Sequence, residues 1–228
     1  MKTMLRSLIV LLAGVLVTIP SFAQETSTSP LTAPSPATSQ PAASGQPSAA
    51  DMQKMMGQMM ELSKLNENHK LLAAMAGTWT YTVKMWLSPD LAAPPSESKG
   101  TAVRKPIMNG RYFTMDVSGK MQMPSPDGKM KDMEFKGTSI EAYDNVKQKF
   151  VSTWADNMGT GIMMSEGTYD PATKTFTYTG EMEMMPGMKS KVREVVKITD
   201  SNHHAFEFYE DRGGQEAKTM EINYTRKK

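Results

Sequence analysis

The sequence predicts an all-β protein, a closed antiparallel barrel of about ten strands. Between Gly77 and Arg226, short runs alternate apolar and polar side chains, which is the pattern of half-buried strands. Turn-forming residues separate the runs at intervals of roughly 8 to 12 residues, as in barrels and sandwiches. The chain has no cysteine, so burial and hydrogen bonding must hold the fold without disulfides. The separating turns are Asn109-Gly110, Pro126-Asp127-Gly128, Asp170-Pro171 and Gly213-Gly214.

The N-terminus predicts export. Lys2 and Arg6 precede an apolar run from Leu8 to Ile19, and Ser21-Phe22-Ala23 follows as a small-x-small cleavage site. Residues 1–23 therefore read as a signal peptide cleaved after Ala23, and we expect a periplasmic or secreted protein. Removing the two basic residues leaves 24 of the 26 Lys and Arg side chains against 24 acidic ones. This balance provides no basic surface for nucleic acid, and we expect no nucleic-acid partner.

Two segments of different composition precede the barrel. Residues 24–50 consist of Ser, Thr, Ala, Pro and Gln with few other residues, which predicts a disordered linker. Residues 51–68 predict a Met-rich amphipathic helix with Asp51 as its N-cap. A second helical stretch from His69 to Ala76 opens the barrel domain, residues 69–228. The apolar stripe of the first helix comprises Met52, Met55, Met56, Met59, Met60 and Leu62.

Strand parity predicts which side chains close one end of the barrel. Successive side chains in a strand point to opposite faces, so Trp79 points inward with the other apolar residues of its strand. Arg226 shares a face with Ile222 and Tyr224 at the end of the last strand. We expect its guanidinium to stack on the Trp79 indole and close the barrel floor. The alternative is that Arg226 extends into solvent beside Lys227 and Lys228.

The segment from Trp154 to Gly161 is the most site-like stretch of the chain, because it combines polar side chains with two glycines. We predict a polar loop here with Asp156, Asn157 and Thr160 as candidate site residues.

Several motifs resemble a known family. They are His69-x-x-Leu72, Gly77-x-Trp79, Asn109-Gly110-Arg111-Tyr112, Tyr143-Asp144, the stretch 152–161 and Gly167-x-Tyr169-Asp170. Together they resemble the bacterial domain-of-unknown-function family fifteen seventy-nine, over residues 69 to 228. The resemblance implies a lipocalin-like (calycin) barrel without an established activity, and it supplies no catalytic residue. The Gly-x-Trp with an Arg packed over it is similar to the calycin superfamily.

The leading functional hypothesis is a non-enzymatic barrel that binds a small hydrophobic molecule. The alternative is an envelope interaction or structural protein with a solid barrel, which meets a protein partner through residues 51–66. Membrane contact is not expected, because the helix lacks the strongly basic face of membrane-surface helices. The expected ligand-binding residues are Tyr81, Met85, Phe113, Met115, Trp154, Tyr178, Met182 and Phe206, with Trp79 and Arg226 closing the barrel.

The methionines support a further alternative, Cu(I) binding through Met55, Met56, Met59 and Met60, because thioethers select soft metal ions. The opposing interpretation is that Met fills apolar stripes that are buried anyway. No cofactor is expected, and neither a zinc spacing nor a phosphate-binding glycine loop occurs. An acid/base pair of His69 and Asp156 requires that the fold bring them together. His203 and His204 are adjacent on a strand and face opposite ways.

Overall fold

Two helices and ten strands make up the part of the chain that the computed structural model describes, residues 47–86, 94–125, 127 and 129–228. The expected signal peptide and residues 24–46 of the expected linker lie outside these residues. The helices are α1 (Ala49–Leu62) and α2 (Glu67–Ala74). The strands are β1 (Gly77–Met85), β2 (Ser96–Ile107), β3 (Tyr112–Pro124), β4 (Met130–Asp144), β5 (Lys149–Asp156), β6 (Met163–Asp170), β7 (Thr175–Met185), β8 (Met188–Asp200), β9 (His203–Arg212) and β10 (Gln215–Arg226), with a 3-10 turn at Met108–Gly110.

The strands form one closed antiparallel barrel. Each strand pairs with its neighbours in sequence, and β1 also pairs with β10. The closing register runs from Trp79 opposite Arg226 to Met85 opposite Met220. Closure leaves no strand edge with unpaired backbone groups. The predicted closed barrel of about ten strands is confirmed.

The helix α1 begins and ends earlier than the sequence predicts. Ser48, and not Asp51, is the N-cap, and the two form a reciprocal capping box. The Ser48 hydroxyl accepts from the Asp51 N–H at 3.2 Å, and the Asp51 carboxylate accepts from the Ser48 hydroxyl at 2.7 Å. The helix ends at Leu62, so residues 63–68 do not belong to it, while residues 49 and 50 of the expected linker do.

The barrel has two different ends. At one end, which we call the closed end, α2 inserts Leu72 and Met75 into an apolar cluster with Phe113, Phe150 and Phe176. The turns β2–β3, β4–β5, β6–β7 and β8–β9 lie at this end. The turns β3–β4, β5–β6, β7–β8 and β9–β10 lie at the other, which we call the open end because no helix of the described residues covers it.

Glycines let aromatic rings lie flat against the inner wall. A Cβ at Gly137 on β4 would overlap the indole of Trp154 on the neighbouring strand. A Cβ at Gly100 would overlap the ring of Tyr81 in the same way. Large rings thus occupy the space that the missing side chains leave, and this brings the interior closer to full packing.

Candidate functional site

A polar cluster inside the barrel is the main feature that sequence reasoning missed. Arg104, Ser139, Ser165 and Glu194 lie on four alternate strands, β2, β4, β6 and β8, and are 5, 3, 2 and 7 % exposed. One atom of each has no hydrogen-bond partner in the described structure: Arg104 Nε, Ser139 Oγ, Ser165 Oγ and Glu194 Oε1. Because buried polar atoms are nearly always paired, four orphans in one interior mark this place as unusual.

Strand register places three of these side chains at one level of the barrel. Ser139 lies across β5 from Met163, and Ser165 is two residues nearer the closed end than Met163. Ser165 lies across β7 from Val192, and Glu194 is again two residues nearer the closed end. Barrel strands are tilted, so one level drifts along successive strands by steps of this kind. The side chains of Ser139, Ser165 and Glu194 therefore face one part of the interior.

Arg104 supplies the cation of the cluster. It lies across β3 from Ser139 and forms an ion pair with Glu141, whose side chain is 12 % exposed. Burial lowers the pKa of Arg104 to about 10, so it stays protonated at neutral pH. Its Nη1 donates to the Met75 Sδ at 3.5 Å, which joins the polar cluster to the apolar closed end.

Burial sets the protonation of the other groups. It raises the pKa of the Glu194 carboxyl. The neighbouring Ser165 hydroxyl partly offsets this rise, although the two groups are not in hydrogen-bonding geometry. It lowers the pKa of His204 to about 3, with the positive charges of Arg104 and Arg226 acting in the same direction. At neutral pH, His204 is uncharged, and the opposite charges of Arg104 and Glu141 cancel.

Arg226 and Trp79 close the floor of the barrel. The guanidinium carbon lies 4.1 Å from the centroid of the Trp79 ring, which is 3 % exposed. The same guanidinium donates to the carbonyls of Ala76, Ala74 and Ser201 at 2.6, 2.9 and 2.8 Å. The alternative of a solvent-directed Arg226 does not hold, because all three of its nitrogens bond to backbone.

Seven of the eight expected ligand-binding residues divide between two apolar clusters, and Met182 belongs to neither. Phe113 and Tyr178 are buried at the closed end with α2. Met182 continues the inward face of β7 toward the open end and is half-buried. The structure therefore does not gather the eight into one site, and those near the open end are the accessible ones. The second cluster, around Trp79, holds Tyr81, Met85, Met115, Trp154 and Phe206.

The predicted polar loop is a structural turn. Trp154 and Asp156 belong to β5 and not to a loop, and Asp156 accepts from the Trp154 Nε1 at 2.8 Å. Asn157 accepts from the Lys136 N–H at 2.9 Å and donates to the Glu134 carbonyl at 2.8 Å. Thr160 is exposed. The hydrogen bonds of Asn157 thus anchor the β5–β6 turn to β4, while Asp156 accepts from the Trp154 side chain and from the Met158 N–H within β5 and the turn.

The histidines do not assemble a catalytic or metal site. His69 contacts Tyr143 near the closed end of β4, whereas Asp156 pairs with Gly137 of the same strand. Tyr143 and Gly137 are six residues apart, which is roughly 20 Å along the strand. His69 instead accepts from the Asn66 N–H at 3.1 Å and starts α2. Among the described residues, no group of three or more His, Cys, Asp or Glu side chains could hold a metal ion.

The Met-rich helix does not cover the barrel. The five methionines of α1 are 56 to 68 % exposed, so the interpretation of Met as buried filler fails for this helix. The connection after α1 meets the barrel at the closed end, where Asn145 donates to the carbonyls of Leu62 and Lys64 at 2.7 and 2.8 Å. The element that covers a barrel end is α2. No helix in the described ranges has the length and apolar character to cross a membrane.

Two shallow depressions occur on the outer wall of the barrel. One, of about 590 Å³, lies between Thr179, Arg193 and Glu216, and another, of about 610 Å³, lies between Thr101 and Asn157. Both open broadly to solvent and are lined mainly by outward-facing residues of neighbouring strands. They are separate from the interior cluster.

Comparison with known proteins agrees with the fold. A protein from M. tuberculosis, Rv2717c, is similar with a TM-score of 0.50 and 14% identity, over 72% of this chain and 100% of that one. The S-type phycobiliprotein lyase CPES from Guillardia theta has a TM-score of 0.47 and 10% identity, over 75% of this chain and 97% of that one. No curated protein matches the sequence significantly. A family profile described as "Protein of unknown function (DUF1579)" matches residues 64–226, and the chain therefore belongs to this family.

Proposed function

We propose that this protein is an exported, non-enzymatic barrel that binds a small hydrophobic molecule through its open end. The observation that carries the proposal is the incomplete burial of inward-facing apolar side chains. Met85, Met115, Trp154 and Met182 share the inner face with fully buried residues such as Phe113, yet each is only half-buried. Apolar side chains that converge and remain accessible are typical of ligand sites.

The rim of the open end is also apolar. Around the β5–β6 and β7–β8 turns, the exposed side chains include large apolar ones. Monomeric soluble proteins rarely expose large contiguous apolar patches, and such patches often mark binding surfaces. Methionine adapts its shape to different partners, which suits an entrance. These rim residues are Met158, Ile162, Met164, Met185 and Met188, from 42 to 70 % exposed.

Export enters the proposal through the first 23 residues, whose sequence is that of a signal peptide. N-terminal sequencing of the protein purified from its own host tests this part. A mature chain that starts at Gln24 is expected, and an intact Met1 would refute cleavage.

A titration of the mature protein with the neutral fluorophore N-phenyl-1-naphthylamine tests binding. We expect saturable fluorescence enhancement, with a change in the emission of Trp154 at the open end. Met182→Gln, which keeps length but adds a polar amide, should weaken binding about fivefold. Met60→Gln on α1 is the matched control and should leave binding unchanged. Absence of saturable binding, or equal weakening by both variants, contradicts the proposal.

Native mass spectrometry of protein from its own host complements the titration. A stoichiometric organic adduct would identify the natural ligand, and its loss from the Met182→Gln variant would link that ligand to the open end.

The exposed helix α1 supports a second candidate, an interaction protein with a solid barrel. The methionines of α1 are unburied although they form an apolar stripe, and aromatic rings occupy the glycine gaps of the interior. Photo-crosslinking from Met56 in intact host cells tests this candidate. One recurrent protein partner that is retained when Met182 is replaced by Gln would favour it over ligand binding.

The same stripe offers several thioethers for the Cu(I) alternative. Titration of Cu(I) against a competing chelator, with a variant in which Met55, Met56, Met59 and Met60 are all leucine, tests it. Equal affinity of the two proteins refutes a copper site on α1.

A further inference from the structure

The orphaned polar atoms of the interior require a partner. An unpaired buried donor or acceptor costs about 1–3 kcal/mol, and native structures leave few of them. Here Ser139 Oγ, Ser165 Oγ and Glu194 Oε1 lie at one level, and all three side chains are more than nine-tenths buried. A group from outside the chain that lies between them would satisfy all three.

Small side chains line one wall of the interior at this level. Ser152, Ser165 and Gly180 are direct neighbours across β5, β6 and β7, and all three belong to the inward face. Ser139 lies on β4 across from Trp154, which is one of the half-buried residues of the open end. A molecule that contacts Trp154 with its apolar part can therefore reach Ser139 and Ser165 with its polar part.

The charges of the cluster restrict the chemistry of that polar part. The charge of Arg104 is balanced by the Glu141 carboxylate, so an anionic head would meet the unpartnered Nε–H but no net positive charge. A cationic head would lie near the Arg104 guanidinium and be repelled by it. Hydroxyls and a carboxyl group, in contrast, offer both donors and acceptors to a neutral group.

We infer that the barrel takes an amphiphile with an uncharged hydrogen-bonding head, a hydroxyl or carboxamide, which Ser139, Ser165 and Glu194 hold while the apolar chain extends toward the open end. The inference rests on the proposed function and specifies its ligand class. It extends that function because the apolar residues of the open end alone do not distinguish one head group from another.

Displacement of bound N-phenyl-1-naphthylamine by decan-1-ol, decanamide, decanoate and decylammonium tests the inference on the unmodified mature protein. The four share a ten-carbon chain and differ in the head. We expect decan-1-ol and decanamide to bind at least about tenfold more tightly than the two ions, since a charged head is costly to bury unpaired.

Serine variants test whether the interior hydroxyls bind the uncharged head group. Ser139→Ala and Ser165→Ala should each weaken decan-1-ol about fivefold, the contribution of one neutral hydrogen bond. Ser118→Ala is the matched control, because that hydroxyl is on the outer face and bonds to Thr101 at 3.1 Å. Glu194→Gln places an amide donor and an acceptor at the same position and should retain the preference for neutral heads.

Equal affinity for all four heads, or tighter binding of decanoate, overturns the inference while the proposed function stands. The same holds if the interior serine variants bind decan-1-ol as tightly as Ser118→Ala does, since the orphaned atoms are then satisfied by water. If the fluorophore itself does not bind, the proposed function fails and the inference fails with it.

Discussion

The two ends of the barrel differ in how completely their inward-facing side chains are buried. At the closed end, α2 adds Leu72 and Met75 to a cluster in which Phe113 and Phe176 are at most 1 % exposed. At the open end, side chains on the same inward face, such as Trp154, remain half-buried. The comparison indicates that stability is concentrated at one end, which leaves the other available for a ligand.

The polar cluster lies between these two regions. Its groups are as buried as the closed-end core, yet four of their atoms lack partners. In a region whose only role is to stabilise the fold, more of the buried polar atoms would have hydrogen-bond partners.

Matched phenylalanine variants give the largest expected difference. Phe176→Ala removes a fully buried ring at the closed end and should lower the free energy of unfolding by about 3–5 kcal/mol. Phe135→Ala removes a half-buried ring that stacks on Trp154 nearer the open end, and should cost only about 1–2 kcal/mol. Urea unfolding followed by circular dichroism measures both. Equal losses would contradict a stability difference between the ends.

Matched arginine variants test the barrel floor. Arg226→Ala removes three hydrogen bonds to backbone carbonyls and the contact with Trp79, and should cost about 3 kcal/mol. Arg111→Ala removes one bond at 3.3 Å, to the Ser63 carbonyl, and should cost less than about 1 kcal/mol.

An Arg226→Lys variant keeps the charge but loses the planar fork, and we expect it to recover less than half of the lost stability. Full recovery by Lys would show that charge alone closes the floor.

Acid pH should weaken the fold through His204. Its ring stacks on Tyr224 and meets the edge of Trp79, and burial with the charges of Arg104 and Arg226 lowers its pKa from 6.5 to about 3. Below pH 6.5, the unfolded chain takes up a proton that the folded chain does not, so stability falls as pH decreases toward 3, by up to about 1.4 kcal/mol per pH unit.

Unfolding free energies of the protein and of His204→Gln, measured between pH 6.5 and 4.5, test this slope. The variant should show a smaller decrease, whereas His203→Gln, which changes an exposed neighbour paired with Asp200, should follow the parent. Glu194 acts in the opposite sense, because its raised pKa makes its contribution to stability larger as pH falls. A parent slope equal to that of His204→Gln would contradict the prediction.

The fold was predictable from the sequence because strand alternation and turn residues are local signals. The same parity argument placed Trp79 and Arg226 on one face at the floor, where they stack. The same alternation holds for charged residues within the strands, including those of the polar cluster. Glu194 shares a face with Val192 and Val196, so its inward direction was readable.

Other features required the three-dimensional structure. The ion pair of Arg104 with Glu141 joins β2 to β4, and the level shared by Ser139 and Glu194 depends on the stagger of a tilted barrel. Neither has a sequence spacing that reveals it. The start of α1 was misplaced for a local reason, since Ser48 and Asp51 are both good N-caps and the sequence does not show which one accepts from the other.

Removal of residues 47–60 should have the smallest effect. No residue of α1 is buried, and the carbonyls of Leu62 and Lys64 that Asn145 binds are retained, so the free energy of unfolding should change by less than about 0.5 kcal/mol. Asn145→Ala, which removes those two bonds, is the comparison and should cost about 1–2 kcal/mol. Urea unfolding of both variants decides the point. A larger loss on removing α1 would mean that its methionines stabilise the barrel, whereas an unchanged free energy of unfolding would assign the apolar stripe of α1 to a role outside folding.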